Sequence, residues 1–345
     1  MNRLKLTRRG FLKASAVTAI GLPGCMSATV DKTAAIKPNF LFLFTDDQSF
    51  NTVNALNNRD VKTPNIDRLV RRGTTFTNCF NQGSWSGAVC IASRAMLNTG
   101  RYVWSCGGNS CGDYPLWGQV MGAAGYDTYI TGKWHNEPKT MERSFKKLGP
   151  TNSWGMFHSK DPNAEANKKK GIVKDPYDRP RPGNSWSPYD RSLKGHWRPK
   201  DGATVHSSKL LADAAVDYIE NNVKKSDNPF FMYVSFNAPH DPRQSPKEYI
   251  DMYPPEKIKI PPNYLPQHPF DQGDYKIRDE VLAPFPRTKE VVQTHISEYY
   301  AIITHADHQI GRILDALEKS GEADNNDYYF FIGSWISCWS ARFDG

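Results

Sequence analysis

Short apolar runs alternate along the chain with longer stretches in which apolar residues recur every three or four positions. Asn39 to Thr45 is continuously apolar and ends in Asp46-Asp47, the pattern of a strand buried on both faces within a mainly parallel sheet. Gly125 to Thr131, Phe230 to Phe236 and Asp327 to Ile332 repeat it, and the first two lead straight into polar residues. Thr63-Pro64-Asn65-Ile66-Asp67 predicts a helix with proline in its first turn, Leu69 and Val70 on its inner face and Gly73 as its stop. Longer helices are predicted over Ser208 to Val223 and Thr294 to Lys319. Strands alternating with helices give a doubly wound α/β sheet with its site at the carboxyl ends of the strands. Residues 155–205, rich in Lys, Asp, Pro, Gly and Trp and without a sustained period, break this rhythm. They read either as a lid over the site or as a decorative insertion.

The 345 residues suffice for one large α/β domain or two smaller ones, and 39% hydrophobic with 23% charged residues describes a globular chain. The formal charge of +8 suggests nucleic acid until it is located. Arg3, Lys5, Arg8, Arg9 and Lys13 lie in the first 24 residues with no acid among them, so the remainder carries only +3. The run Lys168 to Lys170 lacks the interleaved aromatics of a nucleic-acid reader, and no nucleic-acid partner is expected.

Residues 1–25 form a basic segment followed by an apolar stretch, Ala14 to Leu22, too short to span a bilayer. Arg8-Arg9 resembles a twin-arginine export signal, implying the twin-arginine translocase as a partner and a periplasmic or envelope location. Leu22-Pro23-Gly24-Cys25 resembles a lipoprotein box, with Cys25 as lipid anchor; ordinary cleavage nearby and a basic amphipathic helix are the alternatives. Among the other cysteines, Cys106 and Cys111 sit in a glycine-rich loop and either pair after export or remain buried thiols.

Two groups carry candidate chemistry. Asp46-Asp47 offers hard oxygen ligands for Ca²⁺, or less favourably Mg²⁺, although an Asp pair after a strand also serves as a helix cap. Cys90, just ahead of Ser93 and Arg94, falls at a helix N-terminus, where dipole and cation favour a thiolate; a buried structural cysteine is the alternative.

Cys90-Ile91-Ala92-Ser93-Arg94 continuing to Leu97-Asn98-Thr99-Gly100-Arg101 resembles the signature of formylglycine-dependent sulfatases of the alkaline-phosphatase superfamily, with Ala92 where that pattern has proline. Lys37-Pro38-Asn39, Asp46-Asp47, Thr63 to Asp67, Gly132-Lys133-Trp134-His135 and Ala238-Pro239-His240-Asp241-Pro242 follow the same family in order. The resemblance implies an alkaline-phosphatase-like α/β/α sandwich over residues 37–332. It implies Asp46, Asp47 and Cys90 as metal ligands, and Cys90 as precursor of a formylglycine made by a formylglycine-generating enzyme. Arg94 would hold the formylglycine hydrate, Lys133 would pair with sulfate oxygens, His135 would assist turnover and His240 would protonate or position the leaving oxygen. The expected substrate is a sulfated small molecule or polysaccharide, with a phosphonate or phosphate monoester as the alternative.

The resemblance also calls for later metal ligands, an Asp with a following His or Asn and Gly, after the strand that ends at Ile332. Residues 333–345 contain none and are read as an aberrant tail. With suitable synonymous codons, a shift of one nucleotide near codon 333 turns this tail into Asp-His-Gly-Leu-Ala-Val-Gly-Arg, which resembles the absent segment. A truncated or frameshifted member with impaired activity, or a non-catalytic fragment, is therefore expected.

Overall fold

The structure is a computed structural model that describes residues 37–56, 58–78, 82–85, 89–151, 156–159, 204–241, 243–271, 286–321 and 326–332. The leader, the bulk of the excursion and the tail at 333–345 lie outside the described residues. In chain order the elements are β1 (Asn39–Asp46), α1 (Pro64–Arg72), α2 (Val89–Thr99), α3 (Trp117–Ala123), β2 (Asp127–Gly132), α4 (Pro138–Glu142) and β3 (Lys147–Thr151). They continue with β4 (Phe157–Ser159), β5 (Thr204–His206), α5 (Ser207–Asn221), β6 (Phe230–Pro239), α6 (Lys247–Ile250), α7 (Lys289–Ser320) and β7 (Asn326–Ile332).

Five strands form one sheet in the order β3-β2-β6-β1-β7, and every pairing in it is parallel. The central strands explain the unbroken apolar runs, because successive side chains enter two different cores. Leu41 and Leu43 of β1, with Met232, Val234 and Phe236 of β6, pack against Ile66, Leu211 and Ile219, and Ile310, Ile313 and Leu317, of α1, α5 and α7 respectively. Phe42 and Phe44, with Phe231 and Tyr233, face the opposite layer of Leu116, Trp134, Met141 and Phe145. The result is the expected doubly wound α/β/α sandwich.

The helix α7 begins five residues earlier than its periodicity suggests, because Thr288 supplies a cap whose hydroxyl accepts from the Val291 amide at 3.3 Å; Gly321, at φ 85°, closes its far end. The Thr63 to Asp67 motif proves to be a fastening. Asp67 accepts from the Thr63 hydroxyl and the Ala55 amide, both at 2.9 Å. Asp307 of α7 accepts from the Ile66 amide at 2.7 Å and from the Asn65 amide and side chain, so a carboxylate from another element caps α1. Gly311 allows the approach, since a Cβ there would lie 2.5 Å from the Asn65 side chain.

Of the 155–205 excursion, only its base is described. β4 and β5 pair antiparallel, Phe157 with His206 and Ser159 with Thr204, so the excursion leaves and returns through a narrow two-stranded neck. Whether it forms a lid lies outside the described residues.

Candidate active site

Three adjacent strands deliver the site from their carboxyl ends. The register places Asp46 of β1 beside Pro239 of β6, and Gly132 of β2 beside Ser235 of β6. The residues that follow these strand ends, Asp47, Lys133 to His135 and His240, therefore converge above the central part of the sheet. Gly132, at φ 99°, lets the chain turn in contact with β6, where an added Cβ would fall 1.8 Å from the Ser235 carbonyl oxygen. The Lys133 amide donates to that same oxygen at 2.9 Å.

Cys90 is the second residue of α2, as its sequence position suggests. Its thiol lies 3.3 Å from Asp46 Oδ1 and 3.5 Å from Asp47 Oδ1 and donates to both carboxylates. Burial and the two carboxylates push the Cys90 thiol up, outweighing Lys133 and Arg94, which favours the buried-cysteine alternative. The helix dipole that favours an anion is overridden by two formal negative charges at contact distance.

Arg94 is almost completely buried. Its Nη1 donates to the Lys133 carbonyl at 2.7 Å and to the Ser235 hydroxyl at 2.9 Å, and its guanidinium lies 4.5 Å from the centre of the Phe44 ring. Its Nη2 stands 3.8 Å from Asp46 Oδ1 and has no hydrogen-bond partner. Lys133 Nζ pairs with the other oxygen of Asp46. Burial works to raise the Asp46 carboxyl, but Lys133, Arg94 and His240 together hold it well below the ordinary range. Asp47 goes the other way, up to about 6, because burial and the neighbouring Asp46 outweigh the attraction of His240.

The two histidines are displaced in opposite senses. His135, half-buried at φ 64°, falls to about 4 through burial and the positive charges of Lys133 and Arg94. His240 Nε2 lies 3.3 Å from Asp47, while its Nδ1 meets the Asp241 carbonyl at 2.7 Å and the Asp241 carboxylate at 3.3 Å. Burial lowers the His240 ring, yet the two carboxylates outweigh it and the net shift is upward. Asn136 ties the loop after β2 to α2 by donating to the Ile91 carbonyl at 3.1 Å.

The donor set suits a divalent cation. Single ligand atoms of Asp46, Cys90 and His240 lie within 4.8 Å of one another, as do those of Asp47, His240 and Asp241. The raised Asp47 carboxyl records a surplus of buried negative charge that a cation would neutralise.

All seven residues singled out from the sequence thus share one site. Three participants were not singled out. Ser235 sits inside a strand that periodicity reads as core, and Asp241 was quoted within a motif but given no part. Tyr299 of α7, whose hydroxyl donates to the Asp47 carbonyl, carries no local signal of any kind. Cys106 and Cys111 are both buried as free thiols.

A family model described as Sulfatase matches residues 38–331. An arylsulfatase of Clostridium perfringens is 27% identical over 316 residues, covering 86% of this chain and 62% of that protein. The chain therefore spans somewhat under two thirds of that relative's length. Among solved structures, Ps i-CgsB in complex with k-i-k-neocarrahexaose superposes with a TM-score of 0.59 at 22% identity, covering 89% of this chain and 60% of that one. A phosphonate monoester hydrolase of Agrobacterium radiobacter superposes at 0.60 and 21%, covering 86% and 62%. These two likenesses concern the fold alone; in this chain Asp46, Cys90, Lys133 and His240 gather at the carboxyl edge of the parallel sheet. That arrangement lies within the span of the family match, and the chain belongs to the sulfatase family.

Proposed function

We propose that this chain carries the catalytic half of a sulfate ester hydrolase whose nucleophile derives from Cys90. The observation that carries the reading is the meeting of Cys90, Asp46 and the buried Arg94, whose Nη2 stands 3.8 Å from the Asp46 Oδ1 that lies 3.3 Å from the Cys90 sulfur. A buried guanidinium gains from an anionic or hydroxylated group brought to full hydrogen-bond distance. A hydrated aldehyde at position 90 and a sulfate oxygen are both such groups.

Asp46, Asp47 and Cys90 in its modified form would hold Ca²⁺, with Mg²⁺ as the less suited ion, and the cation would draw charge from the sulfate oxygens. Formylglycine supplies an aldehyde whose hydrate is both nucleophile and, at the end of turnover, the route back to the carbonyl. The chain's own residues do the rest. Lys133 and Arg94 match the sulfate charge in a site shielded from water. His240, drawn toward its protonated form by Asp47 and Asp241, is placed to give a proton from Nε2 to the leaving oxygen. His135, neutral at pH 7, is placed to accept one. Two groups of one residue type, pushed apart by their surroundings, make an acid and base pair.

The proposed substrate is a sulfated sugar or another sulfated small molecule, a class consistent with the neocarrahexaose complex of the structural neighbour. A phosphonate or phosphate monoester is the second reading, supported by the hydrolase of Agrobacterium radiobacter and by a cation and basic donor set that serves any tetrahedral anion. We further propose export through the twin-arginine translocase, with Cys25 as mature N-terminus, after a formylglycine-generating enzyme has acted in the cytoplasm. Among the described residues the carboxylates near Cys90 are too few to complete the six to eight ligands of Ca²⁺.

Mass spectrometry of the peptide containing Cys90 tests the mechanism: conversion of thiol to aldehyde removes about 18 Da. An unmodified cysteine in the native host sinks the formylglycine reading. Fluorogenic sulfate and phosphate esters assayed side by side on the Cys90-modified protein separate the two substrate readings.

A further inference from the structure

We propose that Tyr299 is the positioning residue for the metal-ligand loop, its hydroxyl fixing the backbone turn from which the Asp47 carboxylate reaches the cation. The inference rests on the assignment of Asp47 as a ligand and extends it to an element far away in sequence.

Asp47 is one of three non-glycine residues at positive φ among those described, at φ 59°. A side chain in that region is held there by its surroundings, because ordinary residues are crowded by their own Cβ. In that conformation its carboxylate lies 3.5 Å from Cys90 Sγ and 3.3 Å from His240 Nε2, facing the proposed cation. A return to ordinary φ would swing the Cβ and take the oxygens with it.

A phenol from α7 bridges the turn. The Tyr299 hydroxyl donates to the Asp47 carbonyl at 2.6 Å and accepts from the Ser49 amide at 2.7 Å. One oxygen therefore bridges the peptide groups on both sides of Gln48. Ser49 is buried, so its amide has no ready exchange of that oxygen for bulk water.

The phenol is itself fixed from two directions. Arg243 lies with its guanidinium carbon 5.5 Å from the centre of the Tyr299 ring, and its Nη1 lies 2.9 Å from His295 Nδ1, one turn back along α7. Further along the helix, Tyr300 accepts from the Asn58 side chain at 3.2 Å, Thr304 donates to the Lys62 carbonyl at 2.9 Å, and Asp307 caps α1. The segment from Asp47 to Ile66 is thus laid along α7 by four successive polar contacts. Tyr299 makes the contact nearest the ligands, so the long helix sets where Asp47 stands.

Two variants of the full chain test the assignment. Tyr299→Phe removes the bridging hydroxyl while keeping the ring. Tyr300→Phe removes the neighbouring hydroxyl, which fastens Asn58 and does not touch Asp47. Calorimetric titration with Ca²⁺ should show Tyr299→Phe binding about tenfold more weakly than wild type, the lower end of what loss of a ligand's supporting partner produces. Tyr300→Phe should stay within about twofold of wild type on the same principle. A merely structural hydroxyl would lower the melting temperature of the metal-free protein and leave the Ca²⁺ affinity alone, and that outcome overturns the proposal. Hydrogen exchange at the Ser49 amide reads the bridge without any metal: protection in wild type and its loss in Tyr299→Phe are expected. Equal exchange in the two proteins also overturns it. A wild-type chain that protects Ser49 but whose Ca²⁺ affinity is unchanged by Asp47→Asn would instead refute the assignment of Asp47 as a ligand, and with it the positioning role.

Discussion

Replacing Asp307 by Asn should make stability respond to pH differently from wild type, and the sign follows from the site. Asp307 is buried against the first turn of α1, accepting from two backbone amides and the Asn65 side chain, yet burial raises its carboxyl from the ordinary 3.8 to about 6. A folded-state pKa above the unfolded one means that the native protein binds a proton more readily than the unfolded chain between those two values. Through this group alone, stability therefore rises as pH falls from 7 toward 4. The full span is up to about 3 kcal/mol, at 1.36 kcal/mol for each pKa unit, of which about 1 kcal/mol appears between pH 7 and pH 5. Asparagine cannot titrate, and its amide nitrogen turns a donor toward donors, so Asp307→Asn should also cost about 1–2 kcal/mol at pH 7, as lost helix caps do. The assay is urea unfolding of both proteins at pH 5, 6 and 7, taking the difference so that other titrating groups cancel. Wild type should exceed the variant at pH 7, and the gap should widen by about 1 kcal/mol at pH 5. A constant gap refutes the burial argument, and a narrowing gap would mean that the three donors and the helix dipole dominate instead.

Other perturbations have equally definite signs. Gly132→Ala places a Cβ 1.8 Å from the Ser235 carbonyl oxygen at φ 99° and should cost about 2–5 kcal/mol in urea unfolding, the sum of left-handed strain and overpacking; a loss under about 0.5 kcal/mol contradicts the close approach. His305 is fully buried beside His206, whose ring centre is 4.3 Å away, and burial holds it neutral well below its ordinary range. Stability from this group is present above pH 6.5 and is lost as pH falls, so His305→Gln should be less acid-sensitive than wild type; identical acid midpoints would count against it. Cys90→Ala should abolish sulfate-ester turnover while leaving the far-ultraviolet spectrum and urea midpoint near wild type, and retained turnover defeats the nucleophile assignment.

The contrast between Asp46 and Tyr299 shows how much of this site can be read from the chain. Asp46, Asp47, Cys90, Lys133, His135 and His240 each lie at or just beyond the end of a strand or at a helix start, where the periodicity of the backbone changes. A parallel sheet necessarily brings such positions to one edge. Their convergence follows from the strands lying parallel, and the strands β1 and β6 were legible as continuous apolar runs, whereas the order of strands in the sheet was not. The electrostatics were less legible, since Cys90 reads as a thiolate candidate from its helix position and becomes a buried neutral thiol only when Asp46 and Asp47 are placed at contact distance. Tyr299 was not legible at all. It occupies one turn of an amphipathic helix whose pattern reports only which face is buried, and its function depends on a partner some 250 residues earlier, at 2.6 Å. The same holds for Asp307, which looks like any polar residue on a long helix until α1 is laid across it at Gly311. Sequence periodicity therefore locates the groups that meet the substrate, whereas the groups that hold them in place are encoded in helix-to-loop contacts that only the packed chain reveals. In this chain those contacts gather on α7, so lesions along its Tyr299 to Asp307 stretch should disturb the metal loop and α1 while leaving the central strands of the sheet intact.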